Sequence, residues 1–126
     1  MYLLDTNVII RALIGEEPSQ SFFKKAVAEK ELYLSVVVVG EFLSQATEKE
    51  EKQFQKLIDS FPILPIDLDT AKLAAAYRKK FLRTKRTQLL DYFLAAQAKL
   101  NHLTLVTNNT SDFPMKDIRT MTPSQY

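Results

Sequence analysis

The chain has no cysteine and no tryptophan, one histidine (His102) and only two glycines among its 126 residues. The absence of cysteine excludes disulfides and thiolate zinc sites, and it favours a cytoplasmic location. A single histidine cannot build a histidine-rich metal centre. Any metal must therefore be held by oxygen atoms, which favours Mg²⁺ or Mn²⁺.

Long apolar runs are also missing. No stretch approaches the roughly 20 apolar residues that a membrane helix needs. The apolar start, Met1 to Leu4, is too short for a signal peptide and is followed at once by Asp5. We therefore expect no membrane association. No glycine- or serine-rich linker divides the chain, so we expect a single domain over residues 1–126.

The charges are balanced overall but unevenly distributed. Seventeen basic and fifteen acidic residues give a net charge of +2, which does not by itself demand a nucleic-acid partner. Six cations nevertheless occur within nine residues that contain no acid: Arg78, Lys79, Lys80, Arg83, Lys85 and Arg86. Two interpretations stay open for them, the solvated end of a helix and a stripe that binds RNA phosphates.

Short apolar stretches alternate with helical patterns along the chain. The predicted strands cover residues 2–4, 32–34, 63–66, 103–107 and 118–121. The predicted helices cover residues 8–13, 18–27, 36–47, 48–60, 70–82 and 89–100, with Ser35 and Asp69 as expected N-caps. This alternation predicts an α/β fold, a three-layer sandwich whose mainly parallel, twisted sheet of four to five short strands is flanked by helices.

Three acidic residues stand alone in apolar surroundings. Asp5 is the only charge among the first ten residues, Glu41 the only one between residues 32 and 43, and Asp91 the only one between residues 87 and 98. A buried carboxylate without a partner is costly, so such acids indicate a partner or a metal. Each also has a structural explanation: a helix cap for Asp5, exposure to solvent for Glu41, or a first helical turn for Asp91.

A fourth acid, Asp112, lies in a polar loop where an aspartate is unremarkable. It comes after the predicted strand that ends near Thr107, just as Asp5 comes after the first strand. Ligands of open parallel sheets bind at the carboxyl edge of the strands. Four carboxylates at that edge would repel one another unless a divalent cation neutralised them.

Four short motifs occur in the same order as in a known family. They are LLDTN at residues 3–7, VVGEF at 38–42, DYFLAAQA at 91–98, and LVTNN at 105–109 with SDF after it at 111–113. Together they resemble the acidic motifs of PIN-domain nucleases over residues 1 to about 121. The size of the chain is most similar to the VapC-type toxins of toxin–antitoxin pairs.

The resemblance implies a Mg²⁺- or Mn²⁺-dependent endoribonuclease that cuts RNA. Asp5, Glu41 and Asp91 would bind the metal, and Asp112 would complete the cluster. In some relatives an acid stands at the position of Asn109, so the sequence leaves open whether Asp112 binds directly. Polar groups would orient these carboxylates, unless they serve only as turn and cap residues: Asn7, Thr107 and Asn108.

The expected partners rest on the resemblance and on the basic stretch. The resemblance implies a small antitoxin protein, and we also expect a homodimer. For the RNA substrate, the basic stretch predicts contacts with Arg78, Lys79, Arg83, Lys85 and Arg86.

Three other functions compete with the toxin interpretation. A PIN nuclease of RNA processing would have no antitoxin, and a non-catalytic RNA-binding domain would bind RNA without metal. A receiver-like signalling domain is disfavoured, because it would need a second acid beside Asp5 and a lysine after a late strand, where Thr107 is followed by two asparagines.

Overall fold

The computed structural model describes residues 1–81 and 88–126. Three of the predicted RNA-binding cations, Arg83, Lys85 and Arg86, lie outside the described residues. The strands are β1 (Tyr2–Leu4), β2 (Leu32–Ser35), β3 (Ile63–Leu64), β4 (Thr104–Val106) and β5 (Arg119–Met121). The helices are α1 (Thr6–Leu13), α2 (Ser19–Ala28), α3 (Val36–Leu43), α4 (Glu48–Ser60), α5 (Leu68–Phe81) and α6 (Leu89–Leu100).

The five strands form one parallel sheet in the order β3-β2-β1-β4-β5. The predicted α/β class with a mainly parallel sheet flanked by helices is confirmed. β1 is the central strand, and its residue Leu3 is in register with Tyr33 on one side and with Leu105 on the other. The chain moves outward from β1 to β2 and β3, and then returns to the other side of β1 for β4. The strand order therefore reverses between β1 and β4, the place where open α/β sheets bind ligands.

The buried side chains hold the helices against this sheet. Leu3, Leu4 and Leu105 are fully buried, as expected for central strands covered on both faces. Helix α4 is anchored through Phe54, whose ring stacks on that of Phe42 of α3 with centroids 4.2 Å apart.

Helix α6 is fixed to the end of β3 as well as packed against α5. The side-chain amide of Gln97 donates 3.1 Å hydrogen bonds to the carbonyl oxygens of both Leu64 and Pro65. Gln97 is only 1% exposed, and its amide makes these bonds in partly buried surroundings. They set the position of the helix whose first turn carries Asp91.

Some predicted helix boundaries are wrong for identifiable reasons. Asp69 does not cap α5. Asp67 does, because its Oδ1 accepts hydrogen bonds from the backbone N–H and the hydroxyl of Thr70. Helix α3 ends at Leu43 rather than near Thr47, since Thr47 instead forms a capping box with Glu50 at the start of α4.

The valine run of α3 is a helix, as predicted. Ser35 caps it through a 3.1 Å hydrogen bond from the N–H of Val37 to its Oγ. Among the helices of residues 1–81 and 88–126, none has both the length and the apolar character needed to cross a membrane.

Replacing Ser35 with alanine should lower the free energy of unfolding by about 1 kcal/mol, because the buried N-cap hydrogen bond of α3 is lost. Urea denaturation measures this change. The control is Ser60→Ala, an exposed serine in the last turn of α4, which should change stability by less than about 0.5 kcal/mol. Equal stability of Ser35→Ala and wild type would contradict the assigned cap.

Candidate metal centre

Asp5 lies between β1 and α1, and both of its carboxylate oxygens accept hydrogen bonds. Oδ1 accepts a 2.8 Å hydrogen bond from the N–H of Thr6, so Asp5 caps α1. Oδ2 accepts a 2.8 Å bond from the hydroxyl of Thr107, which comes directly after β4. Asp5 is only 9% exposed, and burial raises its pKa, partly offset by these two hydrogen bonds. The charge of Asp112 raises it further.

A polar network continues from Asp5 across the gap between β1 and β4. The Asn7 amide lies 3.5 Å from Asp5 Oδ2, a long hydrogen bond. The Asn7 side-chain oxygen accepts from both the backbone N–H and the side-chain amide of Asn108, each at 3.3 Å. Asn108 also reaches the buried hydroxyl of Ser19 at 3.5 Å. These amides fix the first turn of α1 to the segment that comes after β4.

Glu41 lies in the last turn of α3, and its side chain is partly buried. Burial raises the pKa of its carboxyl, and the charge of Asp5 raises it further. The Thr6 hydroxyl offsets part of this shift. That hydroxyl has no hydrogen bond of standard geometry within the described part of the chain, so its contact with Glu41 is a loose one. Glu41 therefore lies close to Asp5 although 36 residues separate them in sequence.

Asp91 lies in the first turn of α6. Its Oδ2 accepts a 3.3 Å hydrogen bond from the N–H of Gln88, as an acid in that position commonly does. Burial and the charge of Asp5 raise the pKa of Asp91 to about 6, and the hydrogen bond from Gln88 offsets part of this rise. Asp112 and Glu41 raise it as well. Asp91 thus responds to all three of the other predicted acids.

Asp112 lies in a short 3₁₀ helix, Thr110–Asp112, and is exposed. Its charge raises the pKa of both Asp5 and Asp91, so it belongs electrostatically to the same group. The structure therefore brings the four predicted acids to one edge of the sheet. Within residues 1–81 and 88–126, however, no three histidine, aspartate or glutamate side chains are close enough to form a ready-made metal site.

Burial, and after it mutual repulsion, raises the pKa values of Asp5, Glu41 and Asp91. Negative charges near one another disfavour the ionised form of each buried carboxyl. A divalent cation would remove that repulsion, and the donors are all oxygen, as Mg²⁺ and Mn²⁺ prefer. The residues present therefore fit a divalent cation held by Asp5, Glu41, Asp91 and Asp112.

Sequence reasoning missed two polar groups at this edge. Thr6 and Ser19 are both buried, yet neither stands out in the sequence, because serine and threonine near helix starts usually act as caps. Arg78 and Lys79 of the basic stretch are exposed in the last turn of α5, as both interpretations of that stretch require.

The parallel sheet, its reversal between β1 and β4 and the acidic edge define a class of protein. The profile of the PIN domain matches residues 2–118, so the chain belongs to the PIN-domain family. The resemblance seen in the four motifs is thereby confirmed.

The relatives are ribonucleases and toxin–antitoxin proteins. The chain is 30% identical over 116 residues to Ribonuclease VapC10 of Mycobacterium tuberculosis, an alignment that covers 91% of this chain and 87% of that protein. The fold matches FitAcB from Neisseria gonorrhoeae with a TM-score of 0.81 and 27% identity over the whole of both chains. It also matches a toxin–antitoxin complex from Klebsiella pneumoniae with a TM-score of 0.77 and 25% identity over 98% of each chain.

The raised pKa of Asp91 predicts how stability depends on pH. Between the ordinary value of 3.8 and about 6, the folded protein holds a proton that the unfolded chain has lost. Stability from this group is therefore complete below pH 3.8 and is lost as pH rises through about 6. In EDTA, Asp91→Asn should be more stable than wild type at about pH 8, and this gain should shrink towards about pH 4.

Thermal denaturation at both pH values measures the effect. Asp59→Asn is the matched control, because Asp59 is exposed on α4 and bonds only its neighbour Gln55 in the described structure. A stability gain for Asp91→Asn that did not change with pH would contradict the assigned electrostatic cause.

Proposed function

We propose that this chain is a divalent-metal-dependent endoribonuclease that acts as the toxin of a toxin–antitoxin pair. The observation that carries the proposal is the electrostatic coupling of Asp91 to Asp5, Glu41 and Asp112 at the point where the strand order reverses. PIN-domain membership and the similarity to Ribonuclease VapC10 support the same reaction class.

We assign the metal as Mg²⁺ or Mn²⁺, because the donors are carboxylates and no sulfur donor from cysteine exists. Asp5, Glu41 and Asp91 would hold it, with Asp112 completing the group. A divalent cation held by these residues would supply positive charge beside the scissile phosphate and would lower the pKa of a water molecule for attack. The reaction is hydrolysis of an RNA phosphodiester.

The protein's own groups prepare this edge in two ways. Thr107 and the N–H of Thr6 each bond one oxygen of Asp5, so the carboxylate keeps one orientation. The amides of Asn7 and Asn108 join the first turn of α1 to the segment after β4, next to Thr107. Such supporting bonds matter because orienting a metal-binding carboxylate beforehand lowers the entropic cost of binding the cation.

RNA and two protein partners complete the proposal. For RNA we propose contacts with the basic stretch, namely Arg78, Lys79, Arg83, Lys85 and Arg86. For proteins we propose a small antitoxin and a homodimer. Fold neighbours described as toxin–antitoxin complexes support the antitoxin, including the Klebsiella pneumoniae complex.

Purified protein with Mn²⁺ or Mg²⁺ should cleave single-stranded RNA, and EDTA should stop the reaction. Asp5→Ala and Asp91→Ala should each lower the rate by more than about 100-fold, since each removes a proposed metal ligand. Thr107→Val should lower it by about 10- to 100-fold, because it removes only a supporting bond. Gel analysis of labelled RNA measures the rates, with Asp59→Ala as the control that keeps activity.

Two results would contradict the proposal. Undiminished cleavage by Asp5→Ala and Asp91→Ala would identify a contaminating nuclease. RNA binding in EDTA without any cleavage after metal is added would identify a non-catalytic RNA-binding domain. As an independent check, Mn²⁺ should raise the thermal midpoint of wild type but not that of Asp91→Ala.

A further inference from the structure

A cleft of about 410 Å³ separates the C-terminal half of α5 from the segment that comes after Asp112 in the chain. We call it the α5 cleft. Its walls combine aromatic, apolar and charged side chains: Tyr77, Lys80, Phe81, Pro114, Lys116 and Asp117. None of these residues belongs to the acidic group, and the two lysines come from different elements.

The two lysines make the cleft attractive to anions. Lys80 and Lys116 are exposed, and neither forms a salt bridge with another described residue. Among the described residues that line the cleft, Asp117 is the one carboxylate, and it accepts a 2.9 Å hydrogen bond from the hydroxyl of Tyr77. Two cations therefore oppose one anion that already has a hydrogen-bond partner, and the cleft keeps a net positive charge.

The apolar part of the cleft adjoins these cations. Phe81 is partly buried, and the ammonium group of Lys80 lies 5.4 Å from the centre of its ring. Pro114 lines the opposite wall, on the segment after Asp112. A ligand that satisfies both features needs a phosphate for the lysines and a flat ring for Phe81. Nucleotides of single-stranded RNA carry both groups, and their bases stack readily on aromatic side chains.

The position of the cleft connects it to the acidic edge. Lys116 lies four residues after Asp112, so their Cα atoms are at most about 15 Å apart. A few nucleotides of an extended strand span such a distance. An RNA strand with one nucleotide in the cleft can therefore reach Asp112 with a phosphate a few nucleotides away.

We infer that the α5 cleft is a nucleotide subsite for single-stranded RNA, with the phosphate on Lys80 and Lys116 and the base against Phe81. The inference rests on the proposed ribonuclease function. It adds a binding site outside the acidic group, and it excludes a regular duplex, whose bases are stacked on one another and cannot reach Phe81.

The test measures binding of a short fluorescein-labelled single-stranded RNA by anisotropy, in EDTA and over a series of KCl concentrations. The double variant Lys80→Ala/Lys116→Ala should bind more weakly, and the slope of log affinity against log salt should become less steep by about 0.7, because the contact with one phosphate is lost. The matched control is Lys24→Ala/Lys49→Ala, which removes the same charge from exposed positions on α2 and α4 and should leave the slope unchanged.

A second variant tests the base contact separately. Phe81→Leu keeps an apolar side chain and should lower affinity at least about 5-fold, with the salt slope unchanged because no charge is lost. A blunt-ended RNA duplex should bind wild type and Phe81→Leu with similar affinity, since its paired bases do not enter the cleft.

Three results would overturn the inference: an unchanged salt slope in Lys80→Ala/Lys116→Ala, an equal loss of affinity in the control pair, or an equal loss of affinity for the blunt-ended duplex in Phe81→Leu. The proposed function has a separate readout, cleavage with Mn²⁺. If wild type cleaves RNA while the cleft variants bind normally, the subsite is wrong and the nuclease function stands. If wild type does not cleave, the nuclease function is wrong.

Discussion

The candidate site depends on the hydrogen bond between Thr107 and Asp5. It joins the residues that come directly after β4 and β1, the neighbouring strands between which the strand order reverses. The same carboxylate caps α1, so one side chain connects the start of that helix with the residue that follows β4. These bonds hold the Asp5 carboxylate in place, although it is only 9% exposed and burial disfavours its charge. Without these bonds, Asp5 would turn towards solvent. Its charge would then no longer raise the pKa of Glu41 and Asp91.

Placing four acids at one edge opposes folding stability. The charge of Asp91 is disfavoured by burial and by every other member of the group. The fold bears this cost because independent interactions hold each supporting element. Helix α6 is tied to β3 by Gln97, and α3 is capped by Ser35 and packed through Phe42 on Phe54. The scaffold is therefore stabilised away from the acids, and the repulsion among them remains available to favour a bound cation.

Local patterns in the sequence predict the strands, the sheet class and the three isolated acids, whereas features decided by tertiary contacts escape prediction. Apolar periodicity and a lone charge in an apolar run are both local signals. The sequence pattern favours Asp69 over Asp67 as the cap of α5, and this prediction is wrong. Both aspartates lie near the helix start, and only the folded backbone decides which of them accepts the capping hydrogen bond. Ser19 carries no signal because its contact with Asn108 joins residues 89 positions apart. Asp112 lies in an ordinary polar loop, and its electrostatic link to Asp5 appears only in the folded chain.

The acidic edge does not by itself explain how the protein binds RNA. RNA phosphates and four carboxylates repel one another, and a single divalent cation neutralises only part of that charge. Affinity for RNA must therefore come from cations elsewhere, yet near enough to act through the solvent, where charges are screened over roughly 8–10 Å. The net charge of +2 is too small to supply it uniformly. The cations at the end of α5 and Lys116 lie outside the acidic group, beside the segment that comes after Asp112. RNA binding and metal binding can then use different residues, so a substitution that strengthens one of them need not weaken the other.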